Sequence, residues 1–309
     1  MVPGTVCCDS KKRKNDNEKN AEVGMIGLGA MGSALAQALL DSNVRVSVWN
    51  RSPEKSDALA RQGAVACQNP KEVISKSELT IICLSNYDAW SETVVSSNLQ
   101  EALCETTLVQ LTTGSLSEVE EHAALMTDLG AELIEGSILC FPEHIGTDMA
   151  SIVVSGKPES INSYKAILEL MSPKLSYLGT KPTAPVILGN AIMSSVLGFS
   201  AGLINGAALC VKEDLPLEAL KEQTIHNFTR MQTEPLRILN AIINQDTETT
   251  QASVSTWYAA HTKLLEMSKM LAIDDSFHKG LNDMFKKTVD HGMGNHDISA
   301  MVDVFTNKS

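Results

Sequence analysis

A glycine-rich loop near the start of the chain constrains the fold more than any other feature. The segment MIGLGAMGSALAQALL, residues 25–40, matches G-x-G-x-x-G and lies between an apolar run and a helical one. In this pattern the first glycine permits a tight turn, the second lets a pyrophosphate approach the backbone, and the third lets helix and strand pack closely. The helix N-terminus then presents amides and a positive dipole to phosphate. We therefore expect a dinucleotide at this loop, in contact with Gly27, Leu28, Gly29, Ala30, Met31 and Gly32.

Apolar strands alternate with amphipathic helices from this loop to about residue 181. The alternation predicts a Rossmann-type, doubly wound α/β domain over residues 21–181. One predicted strand, LTIICLS, is apolar throughout, as expected for a parallel sheet covered on both faces. From Pro182 onward every predicted element is helical, so residues 182–309 are expected to form an all-α domain built on one long interdomain helix at about 183–211. Residues 1–20 are polar and charged without hydrophobic periodicity, which predicts a disordered tail.

The end of the second predicted strand distinguishes between the two nicotinamide cofactors. An NAD-selective site places Asp or Glu there, to accept a hydrogen bond from the ribose 2′-hydroxyl. This chain instead has WNRSPEK, which supplies Asn50, Arg51, Ser52 and Lys55. An amide, a guanidinium, a hydroxyl and an ammonium can all bond a 2′-phosphate, so the segment favours NADPH over NADH. The alternative is that Arg51 and Lys55 are ordinary surface charges.

The composition argues against several classes of partner. The net charge of −12 disfavours a general binder of nucleic acid or of anionic membranes, since both require a basic surface. The seven cysteines include no C-x-x-C pair, and the histidines offer no second set of ligands, so we expect no metal site. We expect a cytoplasmic protein; the tail segment KKRK is compatible with nuclear import, but a solvated charge run is the interpretation we favour.

One segment has the length of a membrane span. Residues 182–211 carry no charge, and 30 apolar or weakly polar residues suffice to cross a bilayer. The segment also contains two asparagines and four glycines, and neither flank has a basic cluster. We therefore expect a helix buried between two domains or two subunits, and no membrane.

Four further stretches, together with the glycine loop and VWNRSPEKSDAL, resemble a known family. They are CLSNYDA, LTTGSLSE, GSILCFPEHIGTDMASIVVSG and DHGMGNHDISAMVDVF. The chain resembles the β-hydroxyacid dehydrogenase (6-phosphogluconate dehydrogenase-like) superfamily, and more closely its imine reductase and reductive aminase branch, from about residue 21 to 305. The resemblance implies an NADPH-dependent reductase of C=N bonds. It also implies an intertwined homodimer, with each active site between the first domain of one chain and the helical domain of the other. In the first domain it adds Leu84, Ser85, Asn86 and Thr112 to the cofactor residues.

The usual proton donor of that superfamily is missing. Relatives place Lys, Asp or Tyr near the start of the interdomain helix, and in register that place falls on Gly189. Thr113 keeps a hydroxyl beside the expected nicotinamide position. Candidate catalytic substitutes are Glu143, His144 and Asn190, and candidate residues of the substrate pocket are Ser194, Trp257, Tyr258 and His261. Other interpretations stay open: Asn190 bridging backbone groups, Glu143 and His144 forming a surface pair, and Trp257 and Tyr258 as core aromatics.

The lack of an ionisable side chain at Gly189 affects which substrate the enzyme can reduce. Reducing a carbonyl needs a donor that stabilises the developing alkoxide. An alkyl imine is basic enough to arrive as the iminium, and then needs mainly orientation. We therefore favour reduction of an imine, either preformed or made from a ketone and an amine. The alternatives are an NADP-binding interaction module without catalysis, and a carbonyl or β-hydroxyacid dehydrogenase with a relocated donor.

Overall fold

The computed structural model describes residues 23–307, except for the side chains of residues 229 and 230. The predicted tail at 1–20 lies outside this range. The described residues form two compact units, divided within one long helix between Met193 and Ser194.

The first unit is built on a single eight-stranded sheet. Its strands are β1 Val23–Ile26, β2 Val46–Trp49, β3 Val65–Ala66, β4 Leu79–Ile82, β5 Thr107–Gln110, β6 Glu132–Ile138, β7 Ile152–Gly156 and β8 Ser176–Tyr177. They lie in the order β3-β2-β1-β4-β5-β6-β7-β8, and the first six run parallel. The predicted doubly wound fold is confirmed, with its change of strand order between β1 and β4.

The last two strands run against the first six. β7 is antiparallel to β6, and β8 is parallel to β7. Only a short 3-10 turn, Pro142–His144, lies between β6 and β7. Parallel strands are usually joined by a crossover helix, and the thirteen residues 139–151 contain no α-helix; here the chain returns in the opposite direction.

Helices cover both faces of the sheet. They are α1 Ala30–Asp41, α2 Pro53–Ala60, α3 Pro70–Lys76, α4 Tyr87–Ser96, α5 Gln100–Leu103, α6 Leu116–Asp128 and α7 Pro158–Met171. Alternate residues of β1 face opposite sides: Met25 packs with α1 and α7, and Ile26 packs with α3, α4 and α6. As predicted, β4 is buried at all four positions. Local capping explains where two of the helices begin: Asn86 Oδ1 accepts from the Ala89 amide at α4, and Ser115 forms a capping box with Glu118 at α6.

The second unit is helical. The elements of the C-terminal region are α8 Ala184–Lys212, α9 Leu217–Asn244, α10 Val254–Met270, α11 Ser276–Thr288, a π-helical turn Val289–Met293, a 3-10 turn Ile298–Ala300 and α12 Met301–Phe305. The long helix predicted at about 183–211 is therefore α8, which begins and ends within one residue of that range.

Few residues of α8 are buried. The helix has a mean hydropathy of 1.7 over an 18-residue window, which with its length would allow it to span a membrane, and none of that window is buried. Only Pro185 and Val186, in its first turn, are buried. Beyond the first turn, the helix is exposed from Asn190 to Phe199 and half-buried from Asn205 to Cys210, and its burial between the two domains stays a prediction. Burial against a second subunit stays a prediction.

Candidate functional site

A cleft of about 570 Å³ lies at the carboxyl ends of β1, β2 and β4. Parallel sheets bind ligands at this edge, where the strand order changes direction. Three short segments that follow these strands line it, together with one side of α4. The lining residues are Gly27, Gly29, Ala30, Met31, Gly32, Trp49, Asn50, Arg51, Ser52, Lys55, Cys83, Leu84, Ser85, Ala89, Glu92, Thr93, Ser96 and Ser97.

The three glycines of the loop are required for different reasons. Gly27 has a φ of +96°, and a Cβ there would lie 2.3 Å from the Cys83 carbonyl oxygen. At Gly32 a Cβ would lie 2.0 Å from the Gly27 carbonyl oxygen, so the helix can approach the turn only without a side chain. At Gly29, in contrast, a Cβ would meet nothing within 4 Å. The chain itself therefore does not require glycine at position 29, whereas a pyrophosphate packed against the backbone would.

The end of β2 is tied directly to the glycine loop. The Leu28 amide donates to Asn50 Oδ1 (2.9 Å), and Asn50 Nδ2 donates to the Ser52 carbonyl (3.2 Å). Leu28 is buried, so it supports the loop and does not line the cleft. Arg51, Ser52 and Lys55 are exposed and line the cleft. The carboxylate that an NAD-selective site carries at this strand end is replaced by these donors, which fits a 2′-phosphate.

Two of the other predicted cofactor residues support the cleft from outside it. Leu84 and Ser85 line the cleft. Thr112 is buried, and its Oγ1 accepts from the Leu84 amide (3.1 Å). Asn86 caps α4 and is not a lining residue. Their direct contact with the cofactor stays a prediction.

One wall of the cleft is not predicted by the sequence. Trp49 is the last residue of β2 and Cys83 follows β4; the other missed residues lie on α4 and in the turn after it, namely Ala89, Glu92, Thr93, Ser96 and Ser97. Their three- and four-residue spacing was the available signal, because it places them on one face of a helix.

Gly189 lies beside the end of β6. A Cβ there would be 3.4 Å from both Cβ and Oγ of Ser137 and 3.6 Å from Leu139 Cδ2, which are ordinary contacts. The next residue, Asn190, donates from Nδ2 to the Val186 carbonyl of its own helix (2.9 Å). This is the backbone-bridging role that the sequence left open.

The segment with Glu143 and His144 is a surface turn. Glu143 is exposed, so the chain itself supplies none of the burial that the catalytic hypothesis invokes for its carboxyl group. His144 Nδ1 accepts from the Phe141 amide (3.3 Å), and the two rings form a T-shaped contact with centroids 5.9 Å apart. His144 therefore stabilises this turn, with a hydrogen bond inside it. Thr113 is exposed after β5, as the nicotinamide prediction requires.

The pocket residues predicted in the helical unit differ in burial. Ser194 is exposed on α8, and Tyr258 is half-buried on α10. Trp257 is 44% exposed, so its interpretation as a core aromatic is wrong. His261 is buried, with Nε2 3.0 Å from Nδ1 of His278. His261 therefore belongs to the packing between α10 and α11, and the expectation that it lines an open pocket is not met within this unit. Among residues 23–307, no three His, Cys, Asp or Glu residues are grouped to hold a metal ion.

Comparison with known proteins identifies the first unit. The family model for the NAD binding domain of 6-phosphogluconate dehydrogenase matches residues 22–179. The chain belongs to this family. The match confirms the dinucleotide-binding fold and the superfamily that the sequence resembles.

Relatives extend the similarity over the whole chain. An NADPH-dependent reductive aminase from Aspergillus oryzae is 27% identical over 294 residues, which cover 92% of this chain and 96% of the relative. The structure of an imine reductase from Pseudomonas sp. superposes with a TM-score of 0.84 at 26% identity, covering 93% and 99% of the two chains. A reductive aminase from Aspergillus terreus, in complex with NADPH4, cyclohexanone and allyl amine, gives 0.83 at 25% identity with the same coverage. Imine reductases and reductive aminases, the branch that the sequence resembles, are therefore found among its relatives.

Proposed function

We propose that this protein is an NADPH-dependent oxidoreductase that reduces a C=N bond by hydride transfer. The observation that carries the proposal is the cleft itself. Of the three loop glycines, only Gly29 has free space where a Cβ would be, which leaves room for a pyrophosphate. The donors Arg51, Ser52 and Lys55 lie where an NAD-selective site has a carboxylate. The similarity to a reductive aminase along 92% of the chain supports the same reaction class.

In the proposed enzyme, different cleft residues would hold different parts of the cofactor. The Gly27–Gly32 loop and the α1 N-terminus would hold the pyrophosphate, and Asn50, Arg51, Ser52 and Lys55 the 2′-phosphate. Bound NADPH supplies the hydride. Leu84, Ser85 and Thr113 would border the nicotinamide end.

The absence of an ionisable side chain at position 189 favours an iminium substrate. The atoms nearest to an added Cβ at Gly189 belong to Ser137 and Leu139, neither of which is ionisable. An iminium arrives already protonated and needs orientation beside the hydride donor. A carbonyl would need a proton donor there. Glu143, exposed and anionic, would favour the approach of a cationic substrate, and His144 and Asn190 complete the set of residues to test.

We further propose a cytoplasmic homodimer that acts on small molecules, with no nucleic acid or membrane partner. The net charge of −12 supports the exclusion of polyanionic partners. The exposed apolar side chains of α8 support burial against a second copy, whose helical unit would complete each active site.

The first experiment measures NADPH consumption by the purified full chain. The panel contains cyclic imines, a ketone with and without excess amine, and short β-hydroxyacids tested in reverse with NADP⁺. We expect NADPH loss only with imines or with ketone plus amine. Tight NADPH binding without turnover on any substrate would contradict the proposal and favour an interaction module. Oxidation of β-hydroxyacids would favour a dehydrogenase.

A matched pair of glycine variants tests whether NADPH binds at the loop. An added Cβ meets nothing within 4 Å at Gly29 or at Gly280, so both Gly→Ala variants should fold. We expect Gly29→Ala to weaken NADPH binding at least about tenfold, because the methyl group occupies the path of the pyrophosphate. Gly280→Ala, in α11, should bind like the parent. Equal affinities of the two variants would rule out cofactor binding at this loop.

A further inference from the structure

Five large polar side chains are buried together in the first unit, outside the cleft. They are Tyr87 and Trp90 of α4, Gln110 of β5, His122 of α6 and Glu135 of β6, none more than 5% exposed. The Tyr87 hydroxyl donates to Glu135 Oε1, and His122 Nδ1 lies 3.8 Å from Glu135 Oε2. The ring of His122 makes edge contacts with the rings of Tyr87 and Trp90. Gln110 is the register partner of Glu135 in the sheet.

Burial of these five side chains lowers the stability of the fold, because several of their polar atoms lack partners. Glu135 Oε2, Trp90 Nε1, Gln110 Nε2 and both ring nitrogens of His122 are buried without a hydrogen-bond partner among the described residues. Buried polar atoms in native proteins are normally paired, so each exception calls for an explanation. A deeply buried titratable group such as Glu135 is a candidate for a functional role.

The charge state of Glu135 follows from its surroundings. Within residues 23–307, no lysine or arginine lies within ion-pair distance of it. The groups that face the pair from the packed elements are Tyr87, His122 and Glu118, and Gln110 is uncharged. Burial raises the pKa of Glu135, against the opposing effects of His122 and Tyr87. The 3.8 Å approach of His122 is too long for a hydrogen bond. Burial without a cation within ion-pair distance therefore favours the neutral, protonated form of the Glu135 carboxyl group.

The group lies against both segments, 84–86 and 112–114, that would border the nicotinamide in the proposed function. A Cβ at Gly114 would lie 2.5 Å from Cε2 of Tyr87, so the Tyr87 ring fixes the 112–114 turn by direct packing. Gln110 Oε1 accepts from the Thr112 amide (3.1 Å), and Thr112 Oγ1 accepts from the Leu84 amide (3.1 Å). Tyr87 also directly follows the 84–86 segment.

We infer that Tyr87 and Glu135 are positioning residues for hydride transfer: Glu135 fixes the Tyr87 ring, which sets the 112–114 turn beside the 84–86 segment. Neither residue lines the cleft, so neither is a catalytic residue. The kinetic part of this inference rests on the proposed function. The protonation state of Glu135 is independent of the proposed function.

Infrared difference spectroscopy tests the carboxyl group without reference to activity. The wild type minus Glu135→Gln spectrum at pH 7 should contain the carbonyl stretch of a protonated carboxylic acid. Tyr87→Phe should shift that band, because the hydroxyl no longer donates to Oε1. The matched control is Tyr164→Phe, which removes a tyrosine hydroxyl bonded to the Glu78 carbonyl and should leave the band unchanged. A carboxylate signal in place of the acid band would overturn the inference. If Glu135→Gln does not fold, the wild type minus Tyr87→Phe spectrum gives the same answer.

Kinetics with a cyclic imine then separate positioning from mere support of the fold. Tyr87→Phe and Glu135→Leu should each lower kcat about tenfold, with KM for NADPH changed less than about threefold, because a small displacement of the turn affects the reacting geometry more than binding. In Glu135→Gln the side-chain amide oxygen can still accept a hydrogen bond from the Tyr87 hydroxyl, so this variant should keep most of kcat. Equal kcat in Glu135→Leu and wild type would contradict the inference. If the wild type reduces no imine, the proposed function fails while the infrared result still decides the state of Glu135.

Discussion

At the scale of single residues, Arg51 and Lys55 provide the cationic groups for the 2′-phosphate in the proposed enzyme. Both are exposed at the cleft, where a charge-assisted hydrogen bond contributes about 1.5–3 kcal/mol. The Arg51→Ala/Lys55→Ala variant should therefore bind NADPH about 10- to 100-fold more weakly, with NADH binding little changed. Fluorescence titration of both cofactors checks this. Lys71→Ala, on α3 and outside the cleft, is the charge control. An equal loss of NADH affinity would show that the two residues do not bind the 2′-phosphate.

These local features were predictable from the sequence, and others at the same scale were not. The glycine loop and the end of β2 consist of consecutive residues whose backbone roles are fixed by residue type, so their place at the cleft follows from the pattern. Asn86 and Thr112 have polar side chains that can bond either a ligand or a neighbouring amide. Only the structure shows that Asn86 caps α4 and that Thr112 accepts from Leu84.

At the scale of elements, the cap of α4 gives a test with a built-in control. Asn86 and Asn69 cap α4 and α3 with the same geometry, each accepting from a backbone amide at 2.9 Å. Replacing either by Ala should reduce the free energy of unfolding by about 1 kcal/mol, while Asp should retain the cap. Urea unfolding measures the loss. NADPH affinity should change less than about threefold in both Ala variants, since neither side chain lines the cleft. A loss of NADPH affinity in Asn86→Ala but not in Asn69→Ala would show that Asn86 contacts the cofactor, as the sequence predicts.

The pairing of α10 with α11 predicts a response to acid. Burial lowers the pKa of His261, assisted by His278, and burial also lowers the pKa of His278. Below about pH 6.5 the unfolded chain therefore binds protons that the folded helices do not, so stability is full above that pH and falls as the pH decreases toward the lowered values. Urea unfolding followed by circular dichroism at pH 7.5 and 5.5 should show this fall. It should be smaller in His278→Asn and undiminished in His226→Asn, an exposed control. An equal fall in all three proteins would assign the effect to other groups.

At the scale of the whole molecule, the sequence predicts the fold class and the long helix but leaves open what covers that helix. Alternating apolar segments determine the parallel sheet, because both faces of each central strand must be buried. Hydrophobicity alone does not distinguish a helix covered by its own chain from one covered by another. In the structure only the first turn of α8 has buried residues, and residues 205–210 are half-buried, so which of the two expected coverings applies stays a prediction.

The exposed face of α8 leads to the last prediction, the oligomeric state. Leu197, Ile204 and Val211 recur every seven residues and are 60%, 70% and 63% exposed, so they form one apolar stripe. Such a stripe on a soluble protein is typical of a subunit interface. Light scattering should give twice the 33.3 kDa chain mass for the wild type and the chain mass for Ile204→Glu. A charge buried at an interface without a partner is strongly unfavourable, whereas Met270→Glu, at an 86% exposed position on α10, should stay dimeric. A monomeric wild type that still turns over would mean that one chain alone completes the active site.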